Sequence, residues 1–318
     1  MNILVTLPLN DGQRARLAAA APGHPMRFVE KAAAGPADLE WAQIILGNLA
    51  DPAQLRHCRS LRWLQLNNAG TEGYCVPGRL PAGAVLINAT GAYGTVIAEY
   101  MLAALLALFR RLPDYLENQR GHRWQPLGFI RLLAGSRVLV VGFGDIGRSF
   151  GRRAAALGAE VVGVRRRPAA APDWVLGVYG PDRLDELLPA ADVVALCLPG
   201  GDATRHTLDA RRIGLLKQGA VVLNVGRGSA VDTDALCRAL ERGRLGGAAL
   251  DVTDPEPLPA DHPLWSAPNT ILTPHVSGQY AQPETLERVV ELCEENLRRF
   301  FAGQPLRSVV DPATGYAR

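Results

Sequence analysis

Three side chains able to do acid–base or anion-binding chemistry stand in short stretches rich in glycine or proline in the C-terminal half of the chain. They are Arg227 in "NVGRGSAVD", Glu256 in "ALDVTDPEPL" and His275 in "TPHVSG". A guanidinium can grip a carboxylate with a two-pronged fork and polarise a carbonyl beside it. An imidazole titrates near neutrality and can give or take a proton. A carboxylate within hydrogen-bond reach orients that ring and favours its charged form. Singly, each has a plain structural explanation: a surface arginine, a rigid loop charge, a strand-end imidazole. Together they suit hydride delivery to a carbonyl carbon with a proton supplied to the nascent alkoxide, as in reduction of a 2-oxo acid. That chemistry needs no metal, and the sequence has no His/Cys/Asp cluster with metal-ligand spacing.

A source of hydride is suggested by "VVGFGDIGR", residues 140–148. Gly142, Gly144 and Gly147 fit the dinucleotide-binding spacing, preceded by an apolar run and followed by a helical pattern over Ser149–Leu157. The first glycine permits the turn, the second lets backbone approach a pyrophosphate, and the third lets helix pack on strand. The helix start supplies amides and partial positive charge. The glycines beside Arg227, Gly226 among them, are expected to let backbone approach the nicotinamide. At the end of the next strand, where NAD-specific sites carry an acid, the sequence reads Val164-Arg165-Arg166-Arg167. A missing acid and present guanidinium groups favour NADP(H), with NAD(H) as the alternative, and make Arg165 and Arg166 the candidates for a 2′-phosphate.

These stretches must be positioned by two alternating series of strand-like and helical runs. The first holds "NILVTLPL", "MRFVE", "AQIILGN", "LRWLQLNNAG" and "AVLINATG"; the second holds "RVLVVGFG", "AEVVGVRR", "DVVALCLP", "AVVLNVG", "GAALDV" and "TILTPHV". Strand–helix alternation implies parallel sheets covered by helices, an α/β fold. A length of 318 residues exceeds what one core comfortably supports. The expected division is residues 1–94 for the first domain, 95–282 for an inserted dinucleotide-binding domain, and 283–318 for a last helix and a return to the first domain. One long apolar helix from Gly94 to about Leu112 connects the two. A net charge of +3 with scattered basic residues argues against a nucleic-acid partner. The most apolar stretch, Tyr100–Phe109, is too short to span a bilayer. Five dispersed cysteines without a CxxC pair, and no secretory signal at Met1, lead to the expectation of a cytoplasmic protein.

The run "LNVGRGSAVDTDALCRALERGRLGGAALDVTDPEPLPADHPLWSAPNTILTPHVSG" resembles the signature region of the D-isomer-specific 2-hydroxyacid dehydrogenases. The similarity extends along the chain and is most specific from Leu139 to Gly278. It implies a Rossmann-like nucleotide domain inserted into a flavodoxin-like substrate domain, and it makes Arg227, Glu256 and His275 the catalytic set. It further implies that "NNAGTEGY" holds the substrate carboxylate through Asn68, Ala69, Gly70 and Thr71, beside Arg227 and His275. Cofactor contacts are implied at Thr95, Asp145, Ile146, Leu198, Pro199, Thr204, Val225, Asp251 and Gly278, with Asp251 near the nicotinamide carboxamide. Thr253, Asp254 and "GGDAT" depart from the family's usual residues.

Among the family's activities, an NADP(H)-preferring reduction of glyoxylate, hydroxypyruvate or a similar 2-oxo acid fits the arginine-bearing strand end. Trp265 and Tyr74 are candidates to shape the pocket. Glu256 argues against a formate dehydrogenase, which pairs its histidine with glutamine. The absence of a regulatory domain after the last helix argues against the long type of phosphoglycerate dehydrogenase. The alternatives are an NAD(H)-dependent dehydrogenase of a larger 2-oxo acid and a non-catalytic dinucleotide-sensing protein. The family commonly dimerises through its nucleotide domain, and "RLPDYLENQRGHRWQP" is the candidate segment for a homodimer contact.

Overall fold

The computed structural model describes residues 1–167, 170–278, 282–312 and 315–317. Positions 313 and 314 of the C-terminal return segment lie outside the described residues. Backbone contacts divide the chain into two compact units, Met1–Tyr93 with Tyr280–Arg318, and Gly94–Gln279.

In the first unit β1 (Ile3–Val5), α1 (Asp11–Ala20), β2 (Met26–Phe28), α2 (Pro36–Trp41), β3 (Ile44–Leu46), β4 (Trp63–Gln65) and β5 (Val85–Ile87) follow one another. The strands form a parallel five-stranded sheet in the order β2-β1-β3-β4-β5, the flavodoxin-like arrangement. Strands β1, β3 and β4 are buried at every position, as parallel strands covered on both faces must be. Helix α1 starts where the Asn10 side chain accepts from the Gln13 amide and Gln13 returns the bond to the Asn10 amide.

The second unit begins with α3 (Gly94–Phe109) and α4 (Leu112–Arg120). The expected single helix to Leu112 is therefore corrected: it stops at Phe109 and a separate helix begins. Pro113 is the cause, because in a continuous helix its ring would meet the Phe109 carbonyl and its missing N–H would leave that carbonyl unpaired. Arg111 makes the corner in the left-handed region, at φ 55°, and its Nε donates to Asp114 Oδ2 at 2.9 Å.

Then come β6 (Arg137–Val141), α5 (Asp145–Ala156), β7 (Glu160–Val164), β8 (Gly177–Tyr179), α6 (Leu184–Leu187), β9 (Val193–Leu196) and α7 (Ala210–Leu215). β10 (Ala220–Asn224), α8 (Thr233–Glu241), β11 (Leu245–Leu250) and β12 (Thr270–Leu272) complete the unit. All seven strands are parallel, in the order β12-β11-β10-β9-β6-β7-β8. The order reverses beside β6, which is the Rossmann switch point, and the glycine turn leaves β6 there. Helix α5 starts at Asp145, four residues before the expected Ser149, because the glycine turn itself forms its N-terminus. The short edge strand β8 carried too weak a pattern to be read in advance.

The chain then forms α9 (Pro283–Phe301), which buries Val289, Val290, Cys293 and Leu297 on one face. Beyond it Val309 bridges antiparallel to Ile87, and β13 (Val310–Asp311) pairs with β14 (Tyr316–Ala317). Asn296, fully buried on α9, locks this return. Its amide donates to Gln65 Oε1 (2.9 Å) and its oxygen accepts from the Arg307 amide (2.8 Å). Asn296→Ala would strand both partners, so it is expected to destabilise the protein by about 2–4 kcal/mol in urea unfolding followed by tryptophan fluorescence.

Candidate functional site

The glycine turn is suspended from the end of the neighbouring strand. The amides of Gly142 and Phe143 both donate to the Val164 carbonyl at 2.9 Å, and Gly144 donates to Gly142 O at 2.8 Å. Gly142 sits at φ 98°, and a Cβ there would stand 2.5 Å from the Cys197 carbonyl oxygen. A Cβ on Gly147 would meet Gly142 O at 2.4 Å, whereas one on Gly144 would meet nothing within 4 Å. Two glycines are thus required by packing, and the middle one faces open space. The ladder of α5 begins with Arg148 N donating to Gly144 O (2.9 Å), so the first-turn amides, those of Asp145, Ile146 and Gly147, fall outside it. Amides at a helix start beside the open space at Gly144 are an arrangement suited to an anion. These residues fit a dinucleotide pyrophosphate.

Asp145 packs its carboxylate against Gly94, where a Cβ would lie 2.6 Å from Oδ1. Thr95 follows Gly94 in the first turn of α3, so it belongs to the same corner of the unit. Arg165 directly follows Val164, the residue that holds the glycine turn, and its amide donates to Tyr179 O of β8 at 2.9 Å. Its side chain is half-buried, while Arg166 and Arg167 are exposed.

The loops after β9, β10 and β11 interlock. Thr204 donates its hydroxyl to Pro199 O (2.8 Å), closing the loop that starts at Leu198. A Cβ on Gly226 would stand 2.2 Å from Leu198 O, and one on Gly228 would stand 1.9 Å from Thr253 O. Neighbouring protein backbone therefore excludes a side chain at both glycines flanking Arg227. Asn224, not singled out from the sequence, clamps the turn. Its Oδ1 accepts from Gly226 N (3.1 Å) and its Nδ2 donates to Arg227 O (2.9 Å). Val225 is buried between them, and Arg227 Nη1 donates to Gly226 O at 2.7 Å.

His275 and Glu256 meet directly, with Nδ1 and Oε1 2.8 Å apart and both side chains nearly half-exposed. His275 adopts φ 54°, a left-handed conformation that its loop must impose. Asp251, 1% exposed at the end of β11, imposes it. Its carbonyl accepts from His275 N (2.8 Å), and its carboxylate accepts from the Thr273 hydroxyl (2.6 Å), Val276 N (2.9 Å) and Ser277 N (3.0 Å). Gly278 follows this loop and is half-buried.

Asn68, Ala69, Gly70 and Thr71 lie in the first unit, after β4. Ala89 N donates to Asn68 O (2.9 Å), Asn88 Nδ2 to Ala69 O (2.8 Å), and the Thr71 hydroxyl to Gly315 O (3.1 Å). Gly70 is half-buried, and Asn68 Oδ1 is buried without a partner. Tyr74 is corrected from a pocket candidate to a core residue: it is 4% exposed, and its hydroxyl accepts from Leu49 N at 2.9 Å. Trp265 is exposed and donates its indole N–H to Pro259 O (2.8 Å), bracing its own loop. Among the described residues no cluster of three or more His, Cys, Asp or Glu could hold a metal, and no helix is long and apolar enough to cross a membrane.

Residues 102–277 match the family described as D-isomer specific 2-hydroxyacid dehydrogenase, NAD binding domain. A glyoxylate/hydroxypyruvate reductase of Arabidopsis thaliana is 30% identical over 259 residues, 80% of this chain and 78% of that one. A crystal structure of a D-isomer specific 2-hydroxyacid dehydrogenase family protein from Aeromonas salmonicida superimposes with a TM-score of 0.84 at 33% identity, over 98% of this chain and 99% of that one. An NADPH-dependent glyoxylate/hydroxypyruvate reductase from Sinorhizobium meliloti, solved with NADP and sulfate, gives a TM-score of 0.83 at 26% identity over 99% of both chains. With its glycine turn at the switch point and its paired histidine and glutamate, the chain belongs to the D-isomer specific 2-hydroxyacid dehydrogenase family of nicotinamide-dependent oxidoreductases.

Proposed function

We propose that the protein reduces a small 2-oxo acid, of the size of glyoxylate or hydroxypyruvate, to the D-2-hydroxy acid, with NADPH preferred over NADH. The observation that carries this reading is the 2.8 Å contact between His275 and Glu256 on loops adjoining the clamped Arg227 turn. Gly142, Gly144 and the first-turn amides of Asp145, Ile146 and Gly147 hold the pyrophosphate. Thr95, Leu198, Pro199, Thr204, Val225, Gly226, Asp251 and Gly278 border the remainder of the cofactor. When bound, NAD(P)H supplies the hydride. Arg227 binds the substrate carboxylate and polarises the carbonyl with one planar fork. His275, its Nδ1 committed to Glu256, is left to give its other ring proton to the alkoxide oxygen. The loop Asn68, Ala69, Gly70 and Thr71 is assigned to the substrate carboxylate, which makes the first unit the substrate domain.

NADPH preference rests on Arg165, which continues the strand end from which the glycine turn hangs, with Arg166 beside it. The Sinorhizobium meliloti enzyme, named as NADPH-dependent, supports the same choice. The five cysteines are free, in keeping with a cytoplasmic location.

A homodimer is proposed through the segment after α4. Trp124 and Phe129 are fully exposed there, at 104% and 102% of their reference areas, with Leu132 at 66%. A groove of about 800 Å³ lies on the same segment, with Tyr115, His122, Pro126 and Trp124 itself in its lining. Apolar knobs and a groove on one segment are what a two-fold, self-complementary contact requires.

Initial rates with glyoxylate, hydroxypyruvate, pyruvate and a branched 2-oxo acid against both reduced cofactors test the reaction. An absence of turnover with all of them would favour a dinucleotide-sensing protein. His275→Ala is expected to lower kcat by about 10²–10⁴-fold, and Arg227→Ala to lower kcat/KM by about 10²–10³-fold. Arg165→Asp is expected to move the NADPH/NADH ratio of kcat/KM about 10- to 100-fold toward NADH. In sedimentation, Trp124→Ser with Phe129→Ser is expected to convert a dimer to a monomer.

A further inference from the structure

We propose that Tyr100, acting through Thr273 and Asp251, is a positioning residue for the proton donor His275. The inference rests on the acid–base reading given above and adds to it a role for a hydroxyl chain on α3.

The Tyr100 hydroxyl lies 2.6 Å from Thr273 Oγ1, and Thr273 Oγ1 lies 2.6 Å from Asp251 Oδ1. The direction of the chain follows from proton counting. An ionised carboxylate only accepts, so Thr273 must give its single hydroxyl proton to Asp251. At the other contact Thr273 can then only accept, which makes Tyr100 the donor. Burial raises the Tyr100 phenol above its usual range, and the nearby Asp251 charge pushes it in the same direction. The phenol therefore keeps its proton. A chain with one sense of donation polarises each member, and each bond strengthens the next.

What the chain holds is the conformation of the His275 loop. Left-handed backbone is unfavourable at a non-glycine residue, and His275 sits there at φ 54°. The restraint comes from one buried side chain, since Asp251 gathers the Thr273 hydroxyl and the amides of Val276 and Ser277. Thr273 is thus fixed on both sides: toward the sheet by Asp251 and toward α3 by Tyr100. A second tie holds the same helix to the strand before this loop, where Asn269 Nδ2 donates to Leu108 O at 3.4 Å. Losing the Tyr100 hydroxyl frees Thr273 to rotate, and the ring of His275 loses its alignment on Glu256. Small misplacements of a reacting group cost rate steeply, while cofactor affinity, set at the glycine turn, is untouched.

The test is steady-state kinetics of the full chain with NADPH and glyoxylate for Tyr100→Phe, Thr273→Val and Thr273→Ser, with His275→Gln beside them. Tyr100→Phe is expected to lower kcat about 5- to 10-fold and Thr273→Val about 10- to 100-fold. KM for NADPH should stay within about twofold in both, and Thr273→Ser, which keeps the hydroxyl, should stay within about threefold of the unchanged chain in kcat. If Thr273→Val does not fold, Tyr100→Phe, which removes one oxygen, carries the test. Unchanged kcat in Tyr100→Phe beside an inactive His275→Gln overturns the positioning role alone. An equal loss in Thr273→Ser and Thr273→Val overturns it too. Full turnover by His275→Gln overturns the acid–base reading and the positioning role with it.

Discussion

Backbone meets backbone at the carboxyl ends of the strands in the second unit, at separations that leave no space for a side chain. Gly142 lies against Cys197, Gly226 against Leu198 and Gly228 against Thr253. Each contact joins the loop of one strand to the loop of another. The loops are consequently a single rigid layer, and the chemistry-bearing side chains inherit their positions from it. Any Cβ at these three places would force the layer apart, because the opposing atoms belong to the main chain and cannot swing away. Gly144 is the exception that gives the layer a use, since the space in front of it is empty.

Polar groups complete what the close packing begins. Asn224 ties both ends of the Arg227 turn, and Asp251 does the same for the His275 loop with acceptor atoms alone. Both are almost fully buried, at 1% exposure, where an unmet hydrogen-bonding group would be costly. Stability and alignment are thus bound together at these positions. The His275–Glu256 pair is different. Its members are nearly half-exposed, so the contact contributes at most about 1 kcal/mol to stability. The contact instead fixes which ring nitrogen is committed to the carboxylate and which is not.

The first unit solves a separate problem, that of a core assembled from both ends of the chain. Its core gathers Leu4, Ile45, Leu64 and Leu86 from the N-terminal strands with Val310 from the C-terminal return. The Asn296–Gln65 bond adds direction to that burial, because apolar contact alone would tolerate a shifted helix. Arg16 contributes at the surface by bonding both Glu287 and Glu294 of α9, which holds Glu287 below its usual carboxylate range.

The sequence by itself determined the strand–helix alternation and the glycine spacing, because these are written in local periodicity and residue type, and it singled out Glu256 and His275, which the structure brings together. It misjudged the length of the helix from Gly94, although Pro113 was in view, since an apolar run masks a break that only the ring and the carbonyl four residues earlier enforce. It took Tyr74 for a pocket residue because burial depends on neighbours far along the chain. The loop partners could not be read at all. Asp251 and Tyr100 act through hydrogen bonds to residues that tertiary structure alone brings within about 3 Å, including Thr273, which is 173 positions from Tyr100. Composition and spacing name the groups able to react, whereas the packing of one loop against the next decides where they are held.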